Sequence, residues 1–312
     1  MNNQEIMYRL DECCKKVIRR PEVAARFVKV SLKEFRYLSV TQIINYLPIE
    51  DGLVKLDDGD KRKYRCDLVF TCFLPESYES RAIRINIDVQ NKLQKGRNLP
   101  NRAFVYASGL IAEENEVNIR NQEYEKLTKT VTIWFCPSAP IDKLEKVGLM
   151  LEEGESYFGK DVFDIIKIIF LFMKRKSSDK TIDKSIANND EGVEEALSCI
   201  WALFSTEYKK EEKEKVLREK YNLSIDVVNE GVNMCNYSQM VLENGISEGL
   251  SQGLSQGLSQ GRLNGLHEAY IKMYLSSVLT LDRAALECNL SREEFISLVD
   301  EYKKNGNLNS NN

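Results

Sequence analysis

Apolar and polar residues alternate with a period of two over residues 64–74 and 82–90, which read YRCDLVFTCFL and AIRINIDVQ. β-Branched and aromatic side chains dominate both runs, and Pro75, Glu76 and Ser77 stand in the polar link between them. That pattern predicts two strands of a hairpin. A third alternating run, TVTIWFC at 130–136, stops at Pro137 and predicts a central strand. A short strand is predicted at 52–56, before the turn residues Asp57, Asp58, Gly59 and Asp60. Elsewhere the spacing is helical. Over residues 4–47, Leu10, Val17, Ile18, Ala24, Ala25, Phe27, Val28 and Leu32 recur at steps of three and four. Pro21 suits the first position of a second helix. Residues 102–114 put Ala103, Tyr106, Ala107 and Leu110 on one stripe. The region 142–237 reads as helical, with an amphipathic-to-buried helix at 158–176, a polar loop at 176–191 and a helix at 193–204.

The C-terminal part has a different texture. Glycines at 245, 249, 253, 257, 261 and 265 recur every four residues, and Ile246, Leu250, Leu254 and Leu258 keep the same step. Each glycine disfavours a helix by about 1 kcal/mol relative to alanine. Two readings stand: a flexible linker, or a small-residue row through which two helices approach and the chain self-associates. Two short helices follow, at 280–288 and 291–302, with SREE as a capping box. They read as a packing module or as a helix-turn-helix. The residues after 305 are polar and are expected to be disordered.

Candidate chemistry lies on the first hairpin. Asp67 sits on its first strand and Asp88 on its second, each among hydrophobic neighbours, and Gln90 follows Asp88 by two. Residues i and i+2 of a strand share a face, so Asp88 and Gln90 project together. With Asp67 paired onto that face, two carboxylates and an amide converge. Buried carboxylates are costly unless paired, hydrogen-bonded or bound to a metal. Mg²⁺ is an oxygen-seeking ion that one or two carboxylates hold. The competing reading leaves both aspartates at strand ends facing water.

The order CDLVF, INIDVQ, NRAFVYASGL and EYEKLTKTVTIWF resembles the PD-(D/E)XK nuclease family transposases, also described as recombination-promoting nucleases. Asp67, Asp88, Gln90, Arg102 and Tyr106 match the family's motif positions, with glutamine where the superfamily usually has lysine. The second acid is Asp88, where this family more often has glutamate. The resemblance covers about the first half of the chain. It implies an α/β fold: a restriction-endonuclease-like mixed sheet core flanked by helices, over residues 1–150. A helical region at 151–240 would pack on or beside it, followed by the glycine repeat at 241–266, a small helical tail at 267–305 and a disordered end at 306–312. It further implies a Mg²⁺-dependent DNA endonuclease, with Mn²⁺ able to substitute. Asp67 and Asp88 would hold the metal, with Glu34 as a third acidic candidate from the helices before the sheet. Gln90 would orient water or a phosphate oxygen. Arg102, Tyr106 and the basic loop residues Lys92, Lys95 and Arg97 would contact DNA.

Bulk properties narrow the rest. The 312 residues carry 44 basic and 48 acidic side chains, a formal net charge of −4. DNA contact must therefore come from a local basic patch, such as Lys61, Arg62, Lys63 and Arg65 or the loop after Gln90. The single histidine, His267, argues against a two-histidine metal site and a Ser-His-Asp mechanism, and is expected on a helix surface. Eight cysteines without a CxxC pair fit a reducing, cytoplasmic setting. No run is long and apolar enough to suggest a membrane span. The leading expectation is the endonuclease. Its rivals are a catalytically impaired DNA-binding or self-associating protein with the same fold, and a scaffold built around the glycine repeat.

Overall fold

A computed structural model describes residues 3–57, 66–75, 82–90, 98–148, 165–174, 184–187, 190–205 and 207–308. The fold begins with helices α1 (Asn3–Ile18), α2 (Pro21–Ser31) and α3 (Val40–Ile44). Pro21 occupies the first turn of α2, where its missing N–H has no helical partner to lose. A small hairpin follows, β1 (Ile49–Glu50) with β2 (Leu53–Val54).

The main sheet comprises β3 (Leu68–Phe73), β4 (Ala82–Val89), β5 (Lys129–Ala139), β6 (Lys143–Gly148) and β7 (Ile166–Lys174), in the order β3-β4-β5-β7-β6. β3 and β4 are antiparallel, β4, β5 and β7 run parallel, and β6 closes the edge antiparallel to β7. The mixed sheet with helical cover agrees with the expected α/β class. The link between β4 and β5 contains α4 (Leu99–Glu114) and α5 (Glu116–Arg120).

Residues 142–237 depart from the helical expectation. Both β6 and β7 are strands, and the sheet continues past residue 150, where a domain boundary was expected. The run IKIIFLFMK of β7 is apolar at nearly every position because β7 lies inside the sheet, between β5 and β6. A strand covered on both faces shows no alternation, and a short apolar run cannot be told from a helix by period alone. Helix returns in α6 (Glu191–Phe204), α7 (Lys210–Lys215) and α8 (Ile225–Leu275).

The two faces of the sheet have separate cores. Ile83, Ile85, Ile87, Val131, Ile133, Phe135, Ile169 and Leu171 pack with residues of α1, α2 and α6. Phe135 is fully buried, with ring centroids 5.2 Å from Phe27 and 4.7 Å from Phe204. Gly231 admits the close approach of the first turns of α8, since a Cβ there would stand 2.6 Å from Leu203 Cδ1. On the opposite face, Trp134, Ile168 and Phe170 pack against Ala103 and Ala107 of α4.

Residues 1–241 and 242–312 form two compact units. In the second, the end of α8 packs with α9 (Leu281–Glu287) and α10 (Arg292–Asn305) around Ile271, Ala284, Phe295 and Val299. Ser291 and Glu294 form the expected capping box. Two expectations are corrected here. His267 is buried rather than on the surface. Residues 306–308 are ordered: Gly306 caps α10 in the left-handed region at φ 77°, and the Leu308 N–H donates to Glu268 at 2.9 Å. The glycine repeat lies within α8, and Ile246, Leu250, Leu254 and Leu258 are exposed. Among the described residues no helix is long and apolar enough to cross a membrane.

Candidate metal and phosphate site

Strand register brings the two aspartates together. Leu68 pairs with Ile87 in the antiparallel ladder. Extending that register by one residue sets Asp67 opposite Asp88, and directly opposed residues of an antiparallel pair project to the same face. Ile83, Ile85, Ile87 and Val89 of β4 enter the α1/α2/α6 core. Arg84, Asn86 and Asp88 therefore point to the α4 side. The Gln90 N–H donates to Phe135 O at 2.7 Å, which continues the β4–β5 pairing and keeps Gln90 on the Asp88 face.

The carboxylates are tied into the backbone. Asp67 Oδ2 accepts the Val89 N–H at 2.9 Å. Asp88 accepts the Asp67 N–H and the Asn86 amide, whose Nδ2 lies 2.5 Å from Asp88 Oδ2. Asp88 is only 3% exposed. Burial pushes its pKa up, the neighbouring Asp67 charge adds to that, and the Asn86 and Asp67 hydrogen bonds and the Arg102 charge work against it; the result is about 7. The Asp67 pKa is raised too, first by burial. Like charges brought together in a dry site disfavour double ionisation.

Helix α4 supplies the cation above them. Asn98 caps its N-terminus by accepting the Asn101 N–H. Arg102 and Tyr106 stand one turn apart on the side facing the sheet. Arg102 Nη1 donates to Gln90 Oε1 at 2.8 Å, and Nη2 lies 3.4 Å from the Tyr106 hydroxyl. Its guanidinium carbon sits 5.1 Å from the Tyr106 ring centre and 5.0 Å from that of Trp134. Trp134 is the register partner of Asp88. The aromatic floor fixes the guanidinium beside the acidic pair.

Asp67, Asp88, Gln90, Arg102 and Tyr106 are thus brought together. Glu34 is not. It pairs with Lys129 at 3.7 Å, and Lys129 is the register partner of Ile83. Asp88 lies five residues further along β4, roughly 17 Å at the rise of a strand, and on the opposite face. Helix α2 ends at Ser31, and the short 3₁₀ turn Lys33–Phe35 leaves Glu34 at the wrong end of the sheet. Glu34 therefore does not reach Asp67 and Asp88 and is not a metal ligand with them. Lys92, Lys95 and Arg97, like Lys61, Arg62, Lys63 and Arg65, lie outside the described residues.

Three participants were not singled out from the sequence. Asp11 and Lys15 of α1 form an ion pair at 2.6 Å, and both act electrostatically on Asp67. Their signal was an i, i+4 acid–base pair flanking the apolar positions Leu10, Cys14 and Ile18. Asn86 was legible by alternation, since it precedes Asp88 by two in INIDVQ.

The donor set is oxygen-rich. It offers two carboxylates and the Asn86 amide oxygen, which is buried without a hydrogen-bond partner. Among the described residues no group of three or more His, Cys, Asp or Glu side chains gathers in a metal-holding arrangement. Two carboxylates with an orphaned amide oxygen suit a hard ion that retains water, rather than zinc. Comparison with protein-family models, curated proteins and solved structures finds no match to the chain.

Proposed function

We propose that the chain is a Mg²⁺-dependent DNA endonuclease of the transposase-related PD-(D/E)XK type. The observation that carries this reading is the register that sets Asp67 against Asp88 on the face bearing Gln90 and Arg102. Asp67 and Asp88 would hold Mg²⁺, or Mn²⁺ in its place. The raised carboxyl pKa values support this, because a cation relieves the repulsion and desolvation that raise them. Such an ion neutralises phosphate charge and acidifies water. Gln90 cannot act as a base, since an amide does not titrate; its role is to orient Arg102, and through it a phosphate oxygen. Arg102 offers a fork of donors suited to phosphate.

Self-association is the second reading, favoured by one observation. Ile246, Leu250, Leu254 and Leu258 are each more than 60% exposed, and a Cβ added to the repeat glycines would meet nothing within 4 Å. A DNA-reading role for α10 has less support, because its first turn carries Glu293 and Glu294, which phosphate repels.

Supercoiled plasmid tests the main reading. The expected result is nicking by the wild-type protein in Mg²⁺ and in Mn²⁺, arrest by EDTA, and a rate at least about 1,000-fold lower in Asp88→Ala, in line with loss of metal and positioned charge together. Cleavage that persists in the Asp88→Ala protein refutes the assignment.

A further inference from the structure

We propose that Asn86 is a positioning residue for Asp88, and that the buried hydroxyls of Thr132 and Thr130 hold its amide in place through an enclosed water. This rests on the endonuclease reading above. Asn86 and the two threonines act behind the carboxylate, not on the phosphate.

Their placement follows from strand register. Arg84, Asn86 and Asp88 occupy the α4 side of β4. In the parallel ladder Thr130 pairs with Arg84, Thr132 with Asn86 and Trp134 with Asp88. Residues in register on neighbouring strands share a face. Thr132 is also in register with Ile168, which packs with Ala103 and Ala107 of α4. The methyl groups of those alanines bring no hydrogen-bonding atom to the floor beneath the helix. Asn86, Thr130 and Thr132 are fully buried there, and Asn86 lies deeper along the strand than Asp88.

Asn86 Oδ1, Thr130 Oγ1 and Thr132 Oγ1 have no hydrogen-bond partner among the described residues. Buried polar atoms are nearly always bonded, to protein or to ordered water. Three such atoms on adjoining register positions call for one shared partner. A buried water needs two to four polar contacts. An amide oxygen and two hydroxyls supply three, and each hydroxyl can donate or accept.

The consequence reaches Asp88 through the amide. Asn86 Nδ2 donates to Asp88 Oδ2 at 2.5 Å, so Oδ1 occupies the other arm of the planar group. The reverse orientation would set two oxygens against each other. A partner for Oδ1 fixes the amide in its donating orientation. The Asp67 N–H supplies a second hydrogen bond to the Asp88 carboxylate. Held by both, the carboxylate meets an ion in one orientation, as ligands fixed by outer partners do.

The sign of a stability change separates this role from that of an idle buried hydroxyl. Thr132→Val keeps the shape of the side chain. Loss of an unbonded hydroxyl leaves stability equal or higher, whereas loss of one that anchors a water lowers it. Thermal denaturation in EDTA and calorimetric Mn²⁺ titration are measured on wild type, Thr132→Val, Thr132→Ser, Asn86→Leu and the double variant Asn86→Leu/Thr132→Val. The expected result for Thr132→Val is a melting temperature about 3 °C lower and Mn²⁺ affinity about fivefold lower. Thr132→Ser keeps the hydroxyl and stays close to wild type in both. Asn86→Leu lowers the affinity about tenfold, and the double variant loses no more, because Thr132 acts through Asn86. A melting temperature equal or higher in Thr132→Val, or Mn²⁺ affinity within about twofold of wild type, overturns the proposal and leaves the endonuclease reading standing. Losses that multiply in the double variant overturn it as well. If Asn86→Leu fails to fold, the two Thr132 variants decide alone. A wild-type protein that binds no Mn²⁺ overturns both the proposal and the reading it rests on.

Discussion

Asp88→Asn makes the protein more stable in alkaline solution than the wild type when no divalent metal is present. The folded Asp88 carboxyl is held at about 7, above the ordinary aspartate value of 3.8. Between those values the folded chain keeps a proton that the unfolded chain has released. The contribution of this carboxyl to stability is therefore full below pH 4 and is lost as pH rises through 7. An asparagine of the same shape carries no charge to desolvate and no repulsion toward Asp67. The advantage of the variant is small at pH 4 and grows to about 5 °C in melting temperature by pH 8. Thermal denaturation across pH 4–8 in EDTA measures it. Mg²⁺ then reverses the order, since it stabilises only the form that binds it. A variant less stable than wild type at pH 8 in EDTA contradicts the assigned electrostatics.

Phe135→Ala has the largest structural effect. The ring is fully buried between Phe27 of α2 and Phe204 of α6, in edge-to-face contact with both. Its truncation removes apolar burial and leaves a cavity where the helical layer meets the sheet, a loss of about 3–5 kcal/mol. For a unit of this size the melting temperature falls by about 10 °C. The backbone of Phe135 also receives the Gln90 N–H, so a slackened β5 loosens the placement of Gln90 and Arg102. Thermal denaturation monitored by circular dichroism checks this. A fall of less than 3 °C would show that the aromatic cluster does not carry the packing of the first unit.

The parts of this fold that were legible in the sequence were those with a strict local period. The hairpin bearing Asp67 and Asp88 announced itself because alternation of two is preserved from Ala82 to Gln90. The same alternation fixed which residues share the Asp88 face. The α4 stripe placed Arg102 and Tyr106 together because i, i+4 neighbours must meet on a helix. Strand β7 was not legible, because both of its faces are covered and its sequence is apolar almost throughout. Glu34 was misplaced for a different reason. Sequence spacing put it on a helix before the sheet, but only the chain's path after Ser31 decides which end of the sheet that helix's exit reaches. Asp11 and Lys15 were not singled out, because nothing local to α1 shows that their charges are felt at Asp67. His267 read as a surface residue on its helix, but it is buried.

The central claim is that Asp67 and Asp88 share one divalent ion. Mn²⁺ titration into the metal-free protein, with wild type, Asp67→Asn and Asp88→Asn side by side, tests it most directly. One Mn²⁺ per chain in the wild type, with affinity lowered by at least about tenfold in each variant, is the predicted result. A single site of undiminished affinity in both variants would place the metal elsewhere and contradict the account.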